Sequence, residues 1–129
     1  QSGIMILQYS AAAIVSRNKV LSHPSSTDSM DSSAGQEDHV SMGSLAAVHT
    51  LEVLGRIWTL TAMEWMAAVR AIEQQGVSAG SIVDSLLAEY RQMVPSSKED
   101  VIIADEIRLA QAFIEGLEVE DPELLRFSI

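Results

Sequence analysis

The first apolar block of the chain has almost no polar interruption. Ile4, Met5, Ile6, Leu7, Tyr9, Ala11, Ala12, Ala13, Ile14 and Val15 are broken only by Gln8 and Ser10. The run predicts a helix from about residue 3 to 21. It ends where His23 precedes Pro24, because a proline pushes the residue before it out of the α region. A helix that is apolar on all sides has to be surrounded by other helices. The polar stretch SHPSSTDSMDSS over 22–33 follows. Its composition reads as a Ser-rich linker, and its place between two apolar helices also suits an ordered loop.

A second, longer helix is predicted from about residue 38 or 39 to 74, a span of ~54 Å at the α-helical rise. Leu45, Val48, Leu51, Val53, Leu54, Ile57, Trp58, Leu60, Met63, Trp65, Met66, Val69 and Ile72 are too many for one apolar stripe, so this helix too asks for partners on several sides. Gly55 lies inside it at a cost of about 1 kcal/mol relative to alanine, and Gln75-Gly76 supplies the stop. Residues 81–93 form an amphipathic helix with Ile82, Val83, Leu86, Leu87 and Tyr90 on one side and Pro95 beyond its end. Ser96 and Ser97, each three residues before an acid, resemble capping boxes. A last helix over 105–115 carries Ile107, Ala110 and Ile114 in register and meets Gly116 as its C-cap, and 117–129 reads as irregular. The fold class is all-α, a long-helix bundle within one helical region over 1–129.

Composition supports that reading. Of 129 residues 47% are hydrophobic and 20% charged, a globular balance, and ten glycines and prolines together leave few turns (7 Gly, 3 Pro). The net charge is −10, and the eight basic residues are scattered, so no positive face is available for nucleic acid or for an anionic membrane surface. The apolar stretch over 3–15 lacks a basic leader and falls short of the ~20 residues of a membrane span. With no cysteine there is no disulfide framework, and a soluble cytoplasmic protein is expected. Two helices without polar faces in so short a chain point to a piece of something larger, to an oligomer subunit, or to both.

The densest polar cluster is Gln36-Glu37-Asp38-His39. Spacing alone reads it as a helix N-cap with acids in the first turn. Adjacent side chains diverge and His39 and His49 lie ten residues apart, so no zinc spacing is formed. No nucleophile elbow or glycine-rich phosphate loop is present either. The residues themselves leave Glu37 as an acid, a base or a ligand anchor.

Three blocks in order carry a resemblance: SGIMILQYSAAAIVSRNK over 2–19, HPSSTDS over 23–29 and QEDHVSM over 36–42, with EWMAA over 64–68 behind them. Together they resemble the histidine ammonia-lyase type of aromatic amino-acid ammonia-lyase, in its C-terminal portion. The match is strong over 2–71 and weaker over 72–129. The resemblance implies a helical fold, homotetramers whose active sites draw on several subunits, and elimination of ammonia from L-histidine to give trans-urocanate. It implies no diffusible cofactor and no metal. The electrophile would be a protein-derived methylidene-imidazolone made from an Ala-Ser-Gly tripeptide, which these 129 residues do not contain, so it is expected on an N-terminal part that would act as partner. On that pattern Glu37 faces the substrate side chain and serves as the catalytic residue, with Gln36 and His39 beside it in the amino-acid substrate site. Tyr9, Arg17 and Gly35 depart from the commonest histidine-enzyme residues. Those departures keep open a lyase or aminomutase acting on tyrosine or phenylalanine, and a non-catalytic helical assembly module descended from the family.

Overall fold

The computed structural model describes residues 4–27, 29–31, 33–36, 40–96 and 102–117. Among them are four α-helices, two short 3-10 turns and no strand, so the all-α expectation holds. Helix α1 spans Met5–Leu21, α2 Gly43–Gln75, α3 Ser81–Met93 and α4 Ile103–Glu115. The chain divides into two compact units, Gln1–Met63 and Glu64–Ile129, and α2 supplies residues to both.

In the first unit α1 ends as the His23-Pro24 pair dictates. The Ser22 backbone N–H and hydroxyl both donate to the Asn18 carbonyl, at 2.9 and 2.8 Å, and so satisfy an oxygen the helix leaves without a partner. On α1 Leu7 and Leu21 are buried, while Met5, Ile6, Tyr9, Val15 and Val20 stay exposed. Leu45, Val48, Leu51, Leu54, Ile57 and Trp58 on α2 are exposed as well. The apolar surplus of the sequence is thus real surface in this chain.

Helix α2 has 33 residues, a rod of ~50 Å, as long as the apolar pattern requires. It is continuous through Gly55, where an added Cβ would meet nothing within 4 Å. Its start differs from the expectation near residue 38 or 39. Residues 40–42 are not helical, and the helix begins at Gly43, whose N–H reaches the Ser41 hydroxyl at 3.4 Å. At the other end Gly76 takes a left-handed φ of +63° and donates its N–H to the Ile72 carbonyl at 3.1 Å, a stop that any side chain would strain.

The second unit closes around aromatic rings. Trp65 of α2 meets Tyr90 of α3 edge-on at 5.8 Å and Phe113 of α4 at 5.8 Å, and Tyr90 and Phe113 lie 5.3 Å apart. Tyr90 is itself buried, as are Met66, Val69, Val94 and Ala110 of the same unit. Charged pairs tie the helices at the rim. Arg91 grips Glu73 through two hydrogen bonds of 2.6 and 2.7 Å, and Arg70 reaches Glu106 at 2.6 Å. Ahead of α3, Asp84 accepts from the Ser78 hydroxyl at 2.5 Å and the Ala79 N–H at 3.0 Å; the Ser78 bond holds its carboxyl below the usual range. Helix α4 starts at Ile103, two residues before the expected 105, and ends on Gly116 at an ordinary φ of −85°. The acids of the two Ser-x-x-acid pairs, Glu99 and Asp100, lie outside the described residues, as does most of the irregular tail.

Tyr90 yields a pH prediction. Among the described residues its hydroxyl has no hydrogen-bond partner, and burial, with Glu106 adding to it, pushes the phenol up to about 12. Because the folded state resists losing this proton, its contribution is full below pH ~10, the unfolded pKa, and disappears as pH rises to about 12. Alkaline denaturation should therefore steepen in that window by on the order of 2 kcal/mol. Tyr90→Phe should abolish the extra slope and cost less than ~1 kcal/mol at neutral pH. Urea midpoints at several pH values check this.

Candidate functional site

The loop between α1 and α2 is built by local hydrogen bonds before any function enters. After Pro24 the chain makes a 3-10 turn, Ser25–Thr27, in which the Thr27 hydroxyl donates to the Pro24 carbonyl at 2.8 Å. Ser29 then does two things with one hydroxyl. It donates to the Val40 carbonyl at 3.2 Å and accepts from the Val40 N–H at 3.1 Å, closing the loop across eleven residues. This contact delays α2, since it commits both backbone groups of Val40 outside the helix.

Inside the closed loop lies a left-handed turn. Ser33 has φ +53°, Ala34 φ +56° and ψ +35°, and Gly35 φ +81°. The Gln36 N–H closes the turn on the Ser33 carbonyl at 3.2 Å. For Ser33 and Ala34 this conformation costs roughly 1–2 kcal/mol each, because Cβ crowds the following carbonyl.

Of the three site residues expected from sequence, Gln36 stands exposed at the exit of this turn. Glu37 and His39 lie outside the described residues, as does Asp38. The alternative reading of the cluster as an N-cap with acids in the first helical turn is corrected by the late start of α2, whose first turn carries no acid. Sequence reasoning missed Ser29 and Ala34. The joint presence of the HPSSTDS and QEDHVSM blocks was the available signal for Ser29, which belongs to the first block and binds Val40 of the second. Nothing in the residue type of Ala34 announces a left-handed backbone.

A cavity of about 270 Å³ opens beside the loop, lined by Leu21, His23, Pro24, His49, Thr50 and Val53 among others. The His49 Nδ1 is buried without a hydrogen-bond partner among the described residues. On the same helix Glu52 accepts from Arg56 at 2.5 Å and lies 4.0 Å from Arg17. The Arg56 bond, with Arg17 and His49 adding to it, holds the Glu52 carboxyl below the usual range. The charge of Arg17, unusual for the pattern of its block, thus finds an opposite charge on α2. At an exposed site such a pair contributes little to stability.

A closed loop carrying Gln36 at its left-handed turn joins two long helices of an all-α chain. The aromatic amino acid lyase family matches residues 1–92. Over 108 residues the chain is 46% identical to the histidine ammonia-lyase of Bacillus subtilis (strain 168), covering 83% of this chain and 21% of that one. Over 115 residues it is 43% identical to the histidine ammonia-lyase of Macrococcus caseolyticus (strain JCSC5402), covering 88% and 23%. The crystal structure of histidine ammonia-lyase from Trypanosoma cruzi matches with a TM-score of 0.82 at 34% identity, covering 89% of this chain and 23% of that one. The chain belongs to the aromatic amino acid lyase family, and it spans about a fifth of the length of these relatives. Among the described residues no helix is long and apolar enough to cross a membrane.

Proposed function

We propose that these residues are the C-terminal helical part of an ammonia-lyase that converts L-histidine to trans-urocanate and ammonia. The observation that carries this reading is the carboxylate of Glu37 within QEDHVSM, in a chain whose curated relatives are histidine ammonia-lyases. A carboxylate suits the N–H of an imidazole side chain, and a charge-assisted hydrogen bond of that kind contributes roughly 1.5–3 kcal/mol. Gln36 and His39 flank it as further substrate contacts. On the resemblance, a glutamine at this position would instead go with phenylalanine as the substrate.

The methylidene-imidazolone electrophile cannot be formed by the residues present, because the 129 residues hold no Ala-Ser-Gly. Where such a ring is present it supplies the electron sink. The part left to this chain is to hold the substrate side chain and to exclude water around it. The apolar faces of α1 and α2 support assembly with an N-terminal lyase part and with identical subunits, since exposed Met5, Ile6, Val48 and Leu51 would be buried there.

The test is substrate choice in a complete lyase, these residues preceded by an N-terminal part bearing Ala-Ser-Gly. Histidine should be turned over in preference to tyrosine and phenylalanine, with urocanate absorbance as the readout. The 129 residues by themselves should form no urocanate. Preference for tyrosine or phenylalanine would overturn the histidine assignment.

A further inference from the structure

Helix α2 carries a seam that the described residues do not cover. Val48, Leu51, Gly55 and Trp58 follow one another at spacings of three, four and three, inside an arc of about 80° on the helix. All four are exposed, Val48 at 59%, Leu51 at 69% and Trp58 at 43%. The opposite side of the helix is used internally, since His49, Thr50 and Val53 line the cavity with Leu21 of α1. A seam of that spacing packs against one neighbouring helix, knobs into holes. A Cβ added at Gly55 would meet nothing within 4 Å, so this position is an open hole in the seam.

The sizes along the seam say which helix fits it. Two copies running in the same direction would set Gly55 on the partner's Gly55, a void, and Trp58 on the partner's Trp58. Running in opposite directions, with the two-fold axis level with Val53, each large residue meets a smaller one. Leu51 enters the hole at the partner's Gly55, Trp58 lies over the partner's Val48, and the symmetry repeats both contacts. Charge permits the pairing. The net charge of −10 opposes self-association, yet the seam holds no charge, and Glu52 beside it is paired with Arg56 of the same helix.

We propose that this face of α2 binds the same face of a second copy of the chain, antiparallel, with Leu51 seated on the partner's Gly55. The proposal is independent of which amino acid the lyase takes. Register holds the contact, and apolarity alone does not. Enlarging Gly55 should therefore break it, although the change adds apolar surface. The seam is short beside a standing interface of about 1,200–2,000 Å², so two copies of the 129 residues should exchange with a Kd on the order of 10–100 μM.

Sedimentation of the 129-residue chain should show monomer passing to dimer across that concentration range. Leu51→Asp should move the transition upward at least about tenfold, because it buries an unpaired charge, and should leave the helix content unchanged. Gly55→Leu should do the same while raising the thermal midpoint, since glycine is the weaker helix former. Direction is read by cross-linking, in a chain that has no cysteine of its own. Leu51→Cys mixed with Gly55→Cys should form a disulfide several-fold faster than either variant alone, because like positions lie ~6 Å apart along the antiparallel axis. A chain that stays monomeric throughout would overturn the proposal, and so would an unchanged dimer in Leu51→Asp or a tighter one in Gly55→Leu. Equal or faster linking of either cysteine variant to itself would overturn the antiparallel register. If the monomer instead takes up a separately supplied N-terminal lyase part, and Leu51→Asp prevents it, the face belongs to that part and the second copy is ruled out. None of these results bears on the histidine assignment, which turnover tests separately.

Discussion

Glu37→Gln in the complete lyase should lower urocanate formation from histidine about 10- to 100-fold while leaving the thermal midpoint nearly unchanged. The estimate follows from the chemistry lost. Glutamine keeps the size of the side chain and an accepting oxygen, but it carries no charge and takes no proton. Losing a charge-assisted bond of about 1.5–3 kcal/mol corresponds to roughly one to two powers of ten. The unchanged midpoint follows from the fold, since the first turn of α2 begins beyond Glu37 and contains no acid. Were Glu37 instead a helix cap, its loss would cost about 1–2 kcal/mol of stability and spare turnover. Urocanate absorbance and a melting curve, measured on one preparation, separate the two. Normal turnover with a lowered midpoint would overturn the substrate contact.

Trp65→Ala should destabilise the Glu64–Ile129 unit by about 3 kcal/mol, the low end for such a truncation because Trp65 is only partly buried. The indole touches one ring from each of two other helices, Tyr90 of α3 and Phe113 of α4, each with centroids 5.8 Å away. Removing it opens a void that Met66 and Val69, each 1% exposed, are not free to fill. Against a total of about 5–15 kcal/mol for a whole domain, such a loss leaves this unit largely unfolded at moderate urea. Leu51→Ala is the contrasting variant, because Leu51 is 69% exposed and should cost less than about 1 kcal/mol in this chain. Near-ultraviolet circular dichroism against urea checks both. A cost below about 1 kcal/mol for Trp65→Ala would show that the three rings do not form the core of the unit.

Periodicity made the helices legible because it reports which positions are apolar, and these helices are apolar over long, uninterrupted runs. The end of α2 was legible for a local reason, the glycine at position 76 that takes the left-handed turn. The start of α2 was not. The cause lies at Ser29, whose hydroxyl holds Val40 from eleven residues upstream, and a window of neighbouring residues contains no trace of such a bond. The same holds at Ala34, where the backbone opposes the preference of the residue. Glu37 was singled out by resemblance to a family and by its chemistry; spacing alone assigned the cluster to a cap, and α2 starts too late for that. The assembly of Trp65, Tyr90 and Phe113 was half legible, since helical register predicts the inward side of α3 and α4 but not which rings meet.

Because Ser29 grips both backbone groups of Val40, the two ends of the 29–40 stretch are tied to each other. Such a segment behaves as an exchangeable cassette. Its interior can be replaced by the corresponding segment of another lyase without moving the ends of α1 or α2, provided its length and the serine are kept. On the proposed role of Glu37, a graft of that kind would carry substrate preference with it as a unit. On that same proposal, redesign toward another amino acid has a natural size of ten residues, larger than a point substitution and much smaller than a domain.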